Sequence, residues 1–300
     1  MFWIAAGVFV LVEGLLVVAL FRWRHKSGRG VPRQVHGNKA LEIAWTIAPA
    51  VILAGIAVPT VADIITLSHR PPNALEIEVV GHQWWWEVHY PGLNIVTANE
   101  IHVPVQKEVY VSLTSAGSGA VDPGAGVIHS FWIPRLAGKQ DLEPGHTTHL
   151  SFSADAPGVY LGQCAEYCGT SHANMRFRVM ADAPTDFDAW VQQQQQKALP
   201  PAPDALAALH AGGCGGCHVV DGVDGMVGVV GPNLTHFGLR TTFAGAILRV
   251  TDDNLRAWLR NPQAVKPGND MYIGAGGGPG PSVLSPSEID VLVRYLRGLK

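Results

Sequence analysis

The sequence predicts a membrane-anchored protein of several domains: a two-helix hairpin, an all-β domain and, beyond a linker, a C-terminal domain. Two long apolar runs near the N-terminus predict the hairpin. From about residue 75 the chain changes to short alternating segments broken by turn signals, which are typical of a β-sandwich or barrel. A segment rich in glutamine and proline, at 184–204, separates the last hundred residues from the rest. A length of 300 residues exceeds one average domain and agrees with this division.

The hairpin is predicted over residues 1–70, with spans at about 1–21 and 43–63. Each span holds the roughly 20 apolar residues that a helix needs to cross a bilayer. A signal peptide is the alternative for the first span, but no basic segment precedes it and it is long for such a peptide. The loop between the spans is basic, with Arg22, Arg24, Lys26, Arg29, Arg33 and Lys39. The positive-inside rule places this loop in the cytoplasm, and both termini and everything after Asp63 outside the cytoplasm.

The β domain is predicted over residues 71–183. Its first strand is the alternating run Leu75–Val80. Further β-like runs lie at Glu100–Val105, Glu108–Thr114, His146–Ser153 and Arg176–Val179. Pro-Gly pairs between these runs mark turns.

One segment of the β domain, Cys164–Met175, holds two thiols, an imidazole, a thioether and a carboxylate. Thiolate and thioether are soft ligands, and imidazole suits copper, so Cys164, Cys168, His172 and Met175 predict a copper site. One more imidazole is needed, and His129 is the candidate. A disulfide and a structural zinc site are the alternatives, although zinc sites rarely use methionine and usually have two-residue gaps between cysteines.

The C-terminal domain, residues 205–300, contains Cys214-Gly215-Gly216-Cys217-His218. Cys-x-x-Cys-His is the signature of covalent c-type haem attachment, in which His218 would ligate the iron. A redox dithiol and half of a zinc site are the alternatives, but no second cysteine pair is present for zinc and no βαβ pattern surrounds the motif as in a thioredoxin-like unit. Met271 is the candidate distal ligand, since Met226 is too close to His218 to reach the other haem face.

The spacing Cys-x-Glu-x-Cys-x-x-x-His-x-x-Met, with a histidine about 35 residues upstream, resembles the dinuclear CuA loop of cytochrome c oxidase subunit II. The resemblance implies a cupredoxin-like Greek-key barrel. It also implies a site formed by the side chains of His129, Cys164, Cys168, His172 and Met175 and the backbone carbonyl of Glu166. The Glu166 carboxylate is then expected to reach a magnesium or manganese ion shared with subunit I.

Three other segments also resemble known families. Gly81–Trp86 resembles the family segment beside CuA, which implies that electrons from cytochrome c enter at Trp84; aromatic packing is the alternative. Leu41–Ala50 resembles the start of the second helix, which implies that Glu42 lies at the entrance of the proton-conducting K-channel; an ordinary interfacial carboxylate is the alternative. Gly231–Leu234 and the last helix resemble class I cytochrome c, an all-α domain, and predict the Pro232 carbonyl near His218.

The whole chain resembles subunit II of a haem–copper oxidase with a fused cytochrome c domain, the caa-type arrangement. The resemblance implies a relay from a donor, such as a soluble cytochrome c or a quinol–cytochrome c reductase, to haem c, then CuA, then haem a in subunit I. Oxygen is reduced to water there, coupled to proton transport. Subunit III is a further expected partner, and the expected location is the bacterial inner membrane, with the copper and haem domains on the periplasmic face.

Two other functional classes remain open. One is the electron-accepting subunit of a CuA-containing nitric oxide reductase, against which Glu42 favours the oxidase. The other is a non-enzymatic copper-binding redox protein, against which the fused haem domain and the hairpin both argue. The net charge of −3 does not indicate nucleic-acid binding.

Overall fold

The computed structural model describes residues 2–24, 30, 34, 37–116, 126–271 and 282–300. It contains two compact units, Met1–Ala62 and Asp63–Lys300. The first unit is built from helix α1 (Phe2–Arg22) and most of helix α2 (Lys39–Ser68). Both helices are long and apolar enough to cross a membrane.

Helix α2 is longer than the predicted span and continues through Pro49 and Pro59. Proline is tolerated within membrane helices, where neighbouring groups can satisfy the freed backbone carbonyls. In the predicted basic loop, Arg22, Arg24 and Lys39 belong to the described residues, whereas Lys26, Arg29 and Arg33 lie outside them.

Ten short strands form the described part of the β domain, and the predicted alternating run and the four further β-like runs are among them. The strands are β1 (Leu75–His82), β2 (Trp85–Tyr90), β3 (Ile95–Ala98), β4 (Glu100–Pro104), β5 (Val109–Ser115), β6 (His129–Trp132), β7 (Lys139–Leu142), β8 (Thr148–Phe152), β9 (Gly158–Cys164) and β10 (Arg176–Asp182). They form two five-stranded sheets with the orders β3-β2-β1-β5-β8 and β4-β10-β9-β6-β7. The pairs β1–β5 and β4–β10 are parallel and the other pairs are antiparallel.

Aromatic side chains fill the core of the β domain. Trp86 is fully buried, and its ring lies 5.5 Å from that of Phe131 and 5.4 Å from that of Phe177. The same indole lies 5.9 Å from the ring of His129. The packed core therefore fixes the position of the histidine that the sequence predicts as a metal ligand.

The predicted linker at 184–204 is shorter than expected, because it begins with helix α3 (Pro184–Gln194). Glutamine is a good helix former, and the helix also has an apolar anchor. Trp190 is buried and stacks on His102 of the β domain with ring centroids 4.5 Å apart. Only residues 195–202 lie outside regular helices and strands between the β domain and the C-terminal domain.

The C-terminal domain is mainly helical and has its own hydrophobic core. Its helices are α4 (Pro203–Ala211), α5 (Asp252–Arg260), α6 (Pro262–Val265) and α7 (Pro286–Gly298). Helix α7 is the last helix that the sequence predicts, and it begins with a capping box between Ser285 and Glu288.

The expectation of an all-α C-terminal domain is wrong in one respect. A two-stranded hairpin of β11 (Thr242–Phe243) and β12 (Leu248–Arg249) lies between the haem motif and α5. Ala244, Gly245 and Ala246 in its turn all have positive φ angles, from 56° to 77°. The turn brings the two strands together, so their few hydrogen bonds form between residues close in sequence. Strands of two residues are too short for an alternating pattern to reveal them.

Candidate metal site and haem cleft

Strand pairing brings together two parts of the predicted metal site that are distant in sequence. His129 is the first residue of β6 and Cys164 is the last residue of β9. These strands are neighbours, with Phe131 opposite Cys164. The amide of Cys164 donates to the Met175 carbonyl at 2.9 Å, which closes the loop that carries the remaining donors.

All the predicted donors converge on the two thiols. The sulfur atoms of Cys164 and Cys168 lie 3.8 Å apart. Nδ1 of His129 lies 3.8 Å from the Cys164 sulfur, and the Glu166 carbonyl oxygen lies 3.2 Å from it. On the other side, His172 Nδ1 and Met175 Sδ lie 3.5 Å and 3.8 Å from the Cys168 sulfur.

The two cysteines are free thiols, because a disulfide would hold the sulfur atoms about 2.05 Å apart. His129, Cys164 and Cys168 are buried, and their ligand atoms all lie within 4.8 Å of one another. Nδ1 is the His129 atom that faces the thiols, and Nε2 has no hydrogen-bond partner among the described residues. A soft donor set with imidazoles on both sides of a thiol pair fits copper.

The ionisation of the thiols also suits a cation. The hydrogen bond between the two thiols lowers the pKa of Cys164 and raises that of Cys168. Burial opposes ionisation of both groups. The pair therefore releases one proton readily and retains the second until a positive charge compensates the second thiolate.

The tryptophan segment lies directly against this loop. Nε1 of Trp84 donates to the Cys168 carbonyl at 2.9 Å, and the Gln83 side-chain amide donates to the same oxygen at 2.7 Å. Trp84 is only 8% exposed. Its neighbour Trp85 stacks on His82 with ring centroids 4.2 Å apart, so aromatic packing accounts for Trp85.

Two predicted carboxylates lie outside this cluster. The Glu166 side chain is half-buried and makes no hydrogen bond or ion pair within the described ranges, so it is available to a ligand or partner. Glu42 is exposed in the first turn of α2. A carboxylate at a helix N-terminus is favourable by itself, so the position of Glu42 is compatible with a purely structural role as well.

All four predicted haem residues line one open cleft, which is formed mainly by the C-terminal domain and closed on one side by Gln83, Trp85 and Asn99 of the β domain. The four haem residues are Cys214, Cys217, His218 and Met271. The Pro232 carbonyl lies 2.8 Å from His218 Nδ1, as predicted, and leaves Nε2 free as the ligand atom. Burial lowers the pKa of His218, which favours the neutral, metal-binding imidazole. The walls suit a large apolar group, with Leu209, Phe237, Leu255, Trp258 and Leu259.

Arg240 is a buried residue of this cleft that sequence reasoning missed. Its Nη2 donates to the Asn233 carbonyl at 2.5 Å, but its Nε has no partner in the described part of the chain. A buried guanidinium with a free donor favours an anionic group nearby, and the carboxylates of a haem would supply one. No local motif surrounds Arg240, so only the fold could reveal it.

Comparisons with known proteins cover most of the chain. Residues 1–62 match the transmembrane domain of cytochrome C oxidase subunit II, and residues 93–181 match its periplasmic domain. Cytochrome c oxidase subunit 2 of Alkalihalophilus pseudofirmus is 36% identical over 305 residues, covering 99% of this chain and 84% of that protein. The Bacillus subtilis protein of the same name is 33% identical over 305 residues, covering 95% and 81%. The solved periplasmic domain of subunit II of the Bradyrhizobium japonicum oxidase is 30% identical, covers 42% of this chain and 96% of that domain, and has a TM-score of 0.38.

Proposed function

The chain belongs to the cytochrome c oxidase subunit II family, and from that premise we propose that it carries electrons to the oxygen-reducing subunit through two metal centres of its own. The family is part of an oxidoreductase complex, and its periplasmic domain implies a CuA copper site. The proposed order is external donor, haem-binding domain, copper-binding domain and subunit I. Haem a in subunit I would receive the electrons, and the reduction of oxygen to water, coupled to proton transport, would take place there.

The convergence of four further donors on one thiol pair carries the copper part of this proposal. We assign the dinuclear site to the side chains of His129, Cys164, Cys168, His172 and Met175 and to the Glu166 carbonyl. When bound there, copper would take up and release single electrons. The protein holds these donors on two paired strands and one closed loop, so they need to move little when the charge changes.

The haem part rests on the cleft in the C-terminal domain. Cys214 and Cys217 would hold a covalent haem c, and His218 and Met271 would ligate its iron. The Met271 sulfur accepts a hydrogen bond from Trp258 Nε1 at 3.0 Å. This bond positions the thioether at the cleft wall. Haem c bound there would supply a second one-electron centre. We propose residues 205–300 as a cytochrome c domain and 71–183 as the copper domain.

The remaining assignments concern the rest of the oxidase. Two apolar helices and a periplasmic domain fit a two-pass membrane protein, and we propose the bacterial inner membrane, with both metal domains outside. The Glu166 carboxylate, free of partners in the described chain, is available for a magnesium or manganese ion shared with subunit I. Glu42 is proposed at the entrance of the proton channel, and Trp84 as the residue through which electrons reach copper.

Metal analysis of the purified oxidase tests the assignment. Two coppers and one covalent haem c for each copy of this chain are expected, together with the haem a spectrum of the complex. Cys168→Ser should remove copper and retain haem c, and Cys217→Ser should do the reverse. One zinc for each chain, or a Cys164–Cys168 disulfide in a copper-replete sample, would contradict the copper site.

A further inference from the structure

A buried carboxylate joins the two domains that the proposed function assigns to copper and haem. Glu100 is the first residue of β4 in the β domain and is only 2% exposed. Its Oε1 accepts hydrogen bonds from Thr241 Oγ1 at 2.6 Å, Thr242 N at 2.8 Å and Thr242 Oγ1 at 2.5 Å. Its Oε2 accepts one from Thr241 N at 3.0 Å. Every donor belongs to the C-terminal domain, at the start of the β11–β12 hairpin.

These contacts make the carboxylate dependent on the other domain. A buried carboxylate is unfavourable unless hydrogen bonds and opposite charge compensate its lost hydration. Here four donors surround it, and the buried guanidinium of Arg240 supplies the opposite charge. All of these groups lie in the C-terminal domain, so Glu100 would be fully satisfied only while that domain covers it.

The rest of the hairpin and a second loop extend the interface toward the copper loop. At the hairpin turn, the Gly245 carbonyl accepts a hydrogen bond from the Arg176 amide at 3.0 Å. From the second loop, Lys266 Nζ donates to the Trp84 carbonyl at 2.5 Å, and the Ser171 hydroxyl donates to the carbonyl of Pro267. The interface therefore reaches residues directly adjoining the predicted copper ligands.

This loop covers Trp84. A Cβ atom placed on Gly268 would lie 3.4 Å from Cη2 of the Trp84 ring, which is ordinary van der Waals contact. An external protein cannot reach that ring while the loop lies over it. The C-terminal domain does have a route to the copper loop through Gln83. This residue lines the haem cleft, and its side-chain amide donates to the Cys168 carbonyl at 2.7 Å. One side chain thus links the wall of the haem cleft to the copper loop.

We propose that Glu100 is a positioning residue that holds the haem-binding domain in a fixed dock on the copper-binding domain. The proposal rests on the proposed function. In the docked position, electrons pass to copper from the chain's own C-terminal domain by way of Gln83 and Trp84. External donors deliver electrons to the C-terminal domain and never contact Trp84.

Hydrogen–deuterium exchange of the complete oxidase tests the dock. The peptide that contains Thr241, Thr242 and Gly245 reports it, because two of its amides donate to Glu100. Glu100→Gln keeps the size of the side chain, but its amide nitrogen cannot accept from the threonine donors. We expect exchange of this peptide to accelerate about tenfold or more, because hydrogen bonds to a charged acceptor are lost. Exchange of the β5 peptide should stay unchanged.

Glu108→Gln is the matched control, since Glu108 is an exposed glutamate of the same domain and the substitution should leave exchange unaltered. Flash-induced transfer from haem to copper should slow at least about tenfold in Glu100→Gln only. Equal exchange in Glu100→Gln and the unchanged protein would overturn the proposal. If Glu100→Gln fails to assemble, hydrogen–deuterium exchange of the unchanged oxidase provides the test. Rapid exchange of the Thr241 and Thr242 amides there would overturn the proposed dock. Copper and haem contents, measured separately, show whether the proposed function has failed instead.

Discussion

Lys266 should make the stability of the chain depend on pH. Its side chain is 3% exposed, and Nζ donates to the Trp84 carbonyl at 2.5 Å and the Ala244 carbonyl at 3.1 Å. Burial lowers the pKa of this amine from 10.5 to about 7. Between these two values the unfolded chain binds a proton that the folded chain does not bind. The free energy of unfolding therefore rises with pH across this interval.

The size of the effect follows from the shift. One pKa unit corresponds to about 1.4 kcal/mol, so the full interval is worth about 5 kcal/mol. Only part of it lies in an accessible range: from pH 6 to pH 9 the folded protein should gain about 3 kcal/mol from Lys266. Lys266→Met keeps the length of the side chain and removes the titration. The loss of two hydrogen bonds lowers the stability of the variant at every pH. The rise of its free energy of unfolding with pH should largely disappear.

Urea unfolding of the soluble fragment from about residue 70, followed by tryptophan fluorescence from pH 6 to pH 9, measures this difference. The stability of the unchanged fragment should rise relative to that of Lys266→Met as the pH increases. Lys107→Met, at an exposed lysine, is the control and should parallel the unchanged fragment. Parallel curves for Lys266→Met and the unchanged fragment would refute the assignment of a neutral buried amine.

Two further substitutions test the metal centres. Met271→Ala should leave haem c covalently attached and lower its reduction potential, because the thioether ligand is lost; a redox titration with an unchanged potential and an unchanged Met–iron absorption band would identify another ligand. Gly81→Ala should disturb the copper spectrum without removing a ligand, because its Cβ would lie 2.9 Å from Cδ2 of His129 and 3.2 Å from Leu142 Cδ2. Gly92→Ala, where nothing lies within 4 Å, is the control for that change, and identical copper spectra in both variants would show that His129 tolerates the displacement.

Local patterns were sufficient for much of the molecule. Alternation predicted β1, and β-like runs separated by turn signals predicted β4, β5, β8 and β10. Four side-chain donors of the copper loop lie within twelve residues, so their spacing alone indicated a site. The predicted Pro232 contact to His218 is confirmed by the structure. Such features involve residues that are close together in the sequence, so a sequence pattern can predict them.

Long-range pairing was not predictable in the same way. Glu100 and Thr242 are 142 positions apart, and neither lies in a motif. Lys266 also has an unremarkable sequence context, and its burial depends on a second domain. Helix α3 lies within the predicted linker because sequence rich in glutamine and proline is typical of linkers, whereas the packing of Trp190 on His102 fixes the helix to the β domain.

The short connection between α3 and α4 determines how far the C-terminal domain could travel. Residues 195–202 would reach about 26 Å when fully extended. A domain on so short a tether faces its partner surface at a local concentration on the order of millimolar. An interface far too weak to hold two separate proteins would therefore remain almost fully occupied within one chain. Lengthening this segment with flexible residues would dilute the domain and, at unchanged contacts, reduce the docked fraction.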